Sequence, residues 1–426
     1  MLPTALRSLS DPASVYGDLV RRVAETVGTR LAVLVFAVVS GVLVARALGP
    51  SGRGEYAVAS TLAAIGAQIA NMGMHAANTY YLAKDRALLP TLLGNSLAAS
   101  ALVGGSVGVV LVGIAWARPD WIGLSGMLSL LAGTAIPLYC GFTLLQNLFL
   151  GLYDTRRFNQ VELAVTVGSA AAVAALYSFE LQSPSRVYGA SIAVTAVAVF
   201  WMATRLQSVG RQPLTVSPPV FRRQFSRLGI RSYGANLIAL LALRADILIV
   251  RQLEGVEAAG QYAIAVNLGE LMVMLPAVTG TILFARLAGE ESSSRRWQVA
   301  WRTAQAIGGL IAALGAIAFL VSPTIIDLLY GTDYLPAATA FQWLVPGIVF
   351  LSVNVIIMNF FAAEGMPVVV VLSPLVALLV KLGLGLMLIP EYGIPGASAA
   401  AAVSYLAALS ISVAYLARTG RFRGGD

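Results

Sequence analysis

The sequence predicts an all-α polytopic membrane protein with twelve transmembrane helices in two six-helix halves, and three observations carry that prediction. Charged residues make up 11% of the chain and hydrophobic ones 58%, with mean hydropathy +0.80. Soluble domains carry about 25% charged residues. Apolar runs reach the roughly 20 residues that a helix needs to cross a bilayer. Strand-like alternation is absent, and lipid admits only elements that satisfy their backbone groups internally, so these runs are helices. The third observation is an internal repeat.

The stretch VARALGPSGRGEYAVASTLAAIGAQIANMGMHAANTYYL begins at Val44, and a second copy of its opening begins at Ile249. With one inserted residue, Arg46 falls on Arg251. Gly54, Tyr56, Ala57 and Ala59 then fall without gaps on Gly260, Tyr262, Ala263 and Ala265, an offset of 206. Tyr188-Gly189-Ala190-Ser191 and Pro395-Gly396-Ala397-Ser398 repeat at 207. Repeats of this kind mark secondary transporters whose halves pack about a pseudo-two-fold axis with the substrate between them.

Residues 1–27 are predicted to form an amphipathic surface segment, because Val15, Leu19, Val23 and Val27 recur every fourth residue opposite Asp18, Arg21, Arg22 and Glu25. An N-terminal six-helix bundle is expected over 28–206 and a C-terminal one over 230–417, followed by a tail at 418–426. The linker, 207–229, contains Pro213, Pro218 and Pro219. Beyond them Phe221, Phe225 and Leu228 share one apolar face, which predicts a second surface helix.

Basic residues orient the chain. The N-terminus, the even-numbered loops and the C-terminus hold roughly 21 of the 28 Lys and Arg, against about 5 in the other loops. Both termini are therefore expected in the cytoplasm. The net charge of +8 and pI near 9.7 face anionic headgroups and not nucleic acid. One histidine and one cysteine exclude a zinc or haem site built from those side chains. No metal, cofactor or catalytic residue is expected. Neither Lys84 nor Lys381 has the context of a phosphate-cradling loop.

Polar groups inside the spans are the candidate binding residues. Gln68, Asn71, His75 and Asn78 form one stripe on the second helix, and the repeat places Asn267 and Glu270 on the equivalent face of the eighth. The stripes are expected either to face a watery cleft between the halves or to join packed helices. Arg244 and Asp246 lie in the seventh helix, two residues apart and so pointing in different directions, with Arg251 on the face of Arg244. Lys381 lies mid-span in the eleventh. Such charges cost roughly 2.5–3.5 kcal/mol or more on insertion, and are retained for a ligand or a partner.

Four stretches resemble the multidrug, oligosaccharidyl-lipid and polysaccharide exporter superfamily, in its polysaccharide and O-antigen flippase branch. They are ARALGPSGRGEYAVA at 45–59, RADILIVRQLEGVEAAGQYAIAVNLGEL at 244–271, LLYGTDYLPAATAFQWL at 328–344 and YGIPGASAAAAVS at 392–404. The resemblance implies two pseudo-symmetric bundles forming a V-shaped central cleft. It implies movement of an undecaprenyl-diphosphate-linked oligosaccharide across a bacterial inner membrane, with Arg244 and Lys381 as candidate cations for the lipid-linked anion. Expected partners are that lipid-linked anionic oligosaccharide, membrane lipids and a coupling ion, proton or sodium. A polysaccharide polymerase or glycosyltransferases are further candidate contacts. The alternatives are a cation-coupled multidrug exporter of the same fold, and a membrane glycan polymerase or ligase, which would want a larger external loop.

Overall fold

The computed structural model describes residues 12–224, 227–290 and 292–419. Fourteen α-helices fill these described residues. The first half holds α1 (Pro12–Asn71), α2 (Met74–Lys84), α3 (Leu89–Ala99), α4 (Gly105–Ala117), α5 (Pro119–Ile122), α6 (Gly126–Gly151), α7 (Thr155–Ser178) and α8 (Pro184–Gly210). After the short linker helix α9 (Pro218–Gln224) come α10 (Arg227–Ala288), α11 (Ser293–Tyr330), α12 (Pro336–Ala363), α13 (Val369–Tyr392) and α14 (Ile394–Arg418). Among the described residues ten continuous stretches are long and apolar enough to span a membrane. Two of them are double, which brings the number of crossings to twelve.

The double stretches are α1 and α10, each a pair of helices joined at one glycine. Gly49 has φ 65° and ψ 178°, and Gly255 has φ 92° and ψ −179°. This backbone region is essentially open to glycine alone, so the break needs that residue. The two breaks are 206 residues apart, the offset of the repeat. Pro50 then starts the second arm of α1 at a position where its missing N–H costs nothing.

The second arms of α1 and α10 cross directly at their starts. A Cβ on Gly54 would stand 1.8 Å from the Val256 carbonyl oxygen, and one on Gly260 would stand 2.0 Å from that of Pro50. Residues 50 and 256, like 54 and 260, differ by 206, so the contact repeats itself under the pseudo-two-fold. Small residues let helix backbones approach this closely in a membrane, where packing replaces the hydrophobic drive. Two six-helix bundles therefore meet along α1 and α10, and the end of the molecule where these arms cross is its glycine end.

Three details differ from the sequence reading. Residues 12–27 continue α1 as one helix up to Gly49, and residues 1–11 lie outside those described. The linker is stapled to the first half: Asn95 accepts the Ser217 N–H at 2.9 Å and donates to Gln224 Oε1 at 3.0 Å. Of the predicted linker face, Phe221 packs against the core, while Phe225 and the side chain of Leu228 are outside the described set. Third, the second crossing breaks at Met72 and Gly73, both at positive φ (49° and 77°), before α2 begins.

Candidate functional site

A cavity of about 650 Å³ lies between the halves. One wall is apolar, with Val33, Leu34, Ala37 and Val38 from the first arm of α1. The facing wall comes from the second arm of α10, where Asn267, Glu270, Met274 and Ala277 line it at helical spacing. Thr166 and Ser169 of α7 add hydroxyls, and Arg53, Tyr56 and Tyr330 enter from the glycine end. An amphipathic chamber results.

The polar stripe of the first half goes elsewhere. Gln68, Asn71, His75 and Asn78 are not among the residues lining this cavity. The break at Met72–Gly73 divides the stripe between two helices, so its four members no longer share one face. Asn71 Oδ1 accepts the His75 N–H at 3.3 Å and lies 2.9 Å from the ring Nδ1, which caps the start of α2. Asn78 is fully buried: it donates to Ser96 Oγ at 2.8 Å and accepts from Gln224 Nε2 at 2.7 Å. That part of the stripe joins helices and holds the linker.

The charges of α10 find partners far along the chain. Arg244 pairs with Glu270 at 2.9 Å, with both side chains about a third exposed (30% and 40%). Asp246 pairs with Lys381 at 2.7 Å, and there both side chains are buried. The Tyr262 hydroxyl donates to the same Asp246 oxygen at 2.8 Å. Lys381 also reaches the Tyr405 hydroxyl at 3.3 Å and stands 5.0 Å from the centre of its ring. A buried pair survives only with such additional hydrogen bonds, because two desolvated charges cost more than their attraction returns. Asp246 and Glu270 face the cavity; Arg244 and Lys381 are not lining residues. Both expected cations are thus already neutralised by acids of the same half.

At the glycine end the halves are tied across the junction. Arg46 of the first half donates to the carbonyls of Leu328 and Leu329 at 2.6 and 2.7 Å. Arg251 of the second half donates to the Asp120 carbonyl at 3.3 Å. The repeat pairs these two arginines, and each reaches into the opposite half. Tyr334 adds a bond to the Ala45 carbonyl at 2.9 Å, and Ala45, Ile264, Ile326 and Tyr330 pack together beneath it.

Several of these groups escape the sequence reading. Tyr262 and Tyr405 look like ordinary core aromatics, and Arg53 looks like a loop residue in GPSGRGEY. A usable signal for Arg53 exists: Pro50 as a first helical residue puts Arg53 and Tyr56 three apart on one helix face.

Comparisons with known proteins agree with this architecture. A family model described as "Polysaccharide biosynthesis protein" matches residues 43–339. No curated protein matches the chain. Among solved structures, an inward-facing multidrug resistance MATE family transporter of the MOP superfamily superposes with a TM-score of 0.76 at 14% identity, covering 93% of this chain and 96% of that one. The lipid II flippase MurJ in an inward closed conformation gives 0.75 at 12% identity, covering 92% and 87%. A mutant form of the Vibrio cholerae MATE transporter VcmN gives 0.64 at 13%, covering 97% and 98%.

Proposed function

Because the chain belongs to the polysaccharide biosynthesis protein family and has the fold of the MOP superfamily transporters, we propose that it is a lipid-linked oligosaccharide flippase. It moves an undecaprenyl-diphosphate-linked repeat unit from the cytoplasmic to the outer leaflet of a bacterial inner membrane by alternating access. The observation that carries this reading is the two-faced cavity between pseudo-symmetric halves, with an apolar wall from α1 and a polar wall from α10. Such a chamber suits cargo that is part lipid and part sugar. Asn267 and Glu270, which line the cavity, supply hydrogen bonds for glycan hydroxyls, and Arg244 holds the Glu270 carboxylate in place. Lys381 serves Asp246 and the packing of the second half.

The distribution of Lys and Arg supports cytoplasmic termini, and on that reading the glycine end faces outward and cargo enters the cavity from inside. A cation-coupled drug exporter would need a free acid within the membrane. Asp246 and Glu270 are each held by a cation, which argues for the flippase. The test is deletion of the gene with complementation by the wild-type chain. Loss of surface glycan with build-up of lipid-linked repeat units supports the reading, and unchanged surface glycan sinks it.

A further inference from the structure

Arg53 differs from Arg244 and Lys381. It lines the cavity and is 6% exposed, yet among the described residues no hydrogen bond or ion pair engages its guanidinium. Its Nε is a buried donor without an acceptor. Tyr56, one turn on, places its ring 5.3 Å from the guanidinium carbon, a contact that orients the group without neutralising it. Tyr330 lines the same cavity from the opposite half. Arg244 and Lys381 have carboxylates of their own, so Arg53 brings uncompensated positive charge to this chamber.

A chain does not keep an unpaired guanidinium in a buried site for stability, since such a charge costs free energy until an anion arrives. Its planar fork fits the paired oxygens of a phosphate or carboxylate, with charge-assisted bonds stronger than neutral ones. It also stands in the first turn of the second arm of α1, where the helix dipole adds to the positive potential. We propose that Arg53 is an oxyanion seat at the glycine end of the cavity, receiving the phosphate or sugar carboxylate of the cargo. This deepens the flippase reading and rests on it for the identity of the cargo.

The test is calorimetric titration of the purified full-length protein in nanodiscs with geranylgeranyl diphosphate, inorganic diphosphate, glucuronate and uncharged geranylgeraniol. For an anion seated on Arg53, Arg53→Gln weakens binding about 10- to 100-fold, Arg53→Lys weakens it less, and geranylgeraniol does not distinguish the variants. Loss confined to the diphosphates identifies a phosphate seat; loss confined to glucuronate identifies a sugar-acid seat. Ligand-free Arg53→Gln should melt at or above the wild-type temperature, because it removes an uncompensated charge. A marked drop in melting temperature would mean that Arg53 has a structural partner, and it overturns the proposal. Equal anion binding by wild type and Arg53→Gln, or no anion binding by wild type, overturns it as well. Failure of the flippase reading is seen separately, as surface glycan that persists in the deletion strain whatever Arg53 binds.

Discussion

Removal of the Lys381 ammonium leaves Asp246 as a buried carboxylate supported by the Tyr262 hydroxyl and the Ile247 N–H. Breaking a buried pair from one side costs roughly 3–5 kcal/mol, whereas replacing both partners with apolar groups of similar size is often neutral. Lys381→Met should therefore lower the unfolding free energy by about that amount, and Lys381→Met with Asp246→Leu should recover most of it. Denaturant unfolding in detergent reads both variants; equal losses in the single and double variants would contradict the pairing. The Arg244–Glu270 pair is part-exposed, and solvent screening limits such a pair to about 1 kcal/mol or less. Glu270→Gln should accordingly cost far less in the same assay. The sequence reveals that Arg244 and Asp246 point apart, but their partners lie 26 and 135 residues away. Which acid meets which cation depends on helix register between crossings, and no local pattern encodes that.

Where the second arms of α1 and α10 cross, a side chain at Gly54 would collide with a carbonyl that cannot retreat without moving its helix. Gly54→Val should force the crossing apart and loosen the glycine end. In a Cys140→Ala background, a cysteine at the buried Ala45 should then react with a thiol reagent many times faster than in the Gly54 parent; an unchanged rate would remove the crossing from the account of closure. This crossing is legible in the sequence, because Gly54 and Gly260 are themselves members of the repeat. The break at Met72–Gly73 is not. A glycine in an apolar run is tolerated in a helix at a cost of about 1 kcal/mol, so nothing local separates Gly73 from such a residue. That hidden break takes His75 and Asn78 off the face of Gln68 and Asn71, which helical spacing alone would have joined.

For the whole molecule, alternating access requires the glycine end to open, so a bridge across it should stop transport while leaving the fold intact. Cysteines at Arg46 and Leu329, joined by a short bifunctional thiol reagent, are expected to abolish glycan export, and a monofunctional reagent at the same sites should not. Export that survives complete bridging would contradict rocking of the halves. The outward placement of this end is checked by labelling intact cells with an impermeant reagent. Cysteines at the exposed Ser51 and Gln182 should react, and one at the exposed Ser208 should not; the reverse pattern inverts the topology.

The two arginine ties at the glycine end run in opposite directions, Arg46 from the first half into the second and Arg251 from the second into the first. Each half is thus both keeper and kept, and under the proposed alternating access both ties must break before release, as in an AND gate. On that reading either tie alone should keep the end shut against ions, and Arg46→Ala or Arg251→Ala should leave the membrane nearly as tight as before. The double variant should leak protons in reconstituted vesicles by far more than the sum of the two single variants. Duplication of the chain would then have supplied redundancy at the point where a transporter can least tolerate a hole.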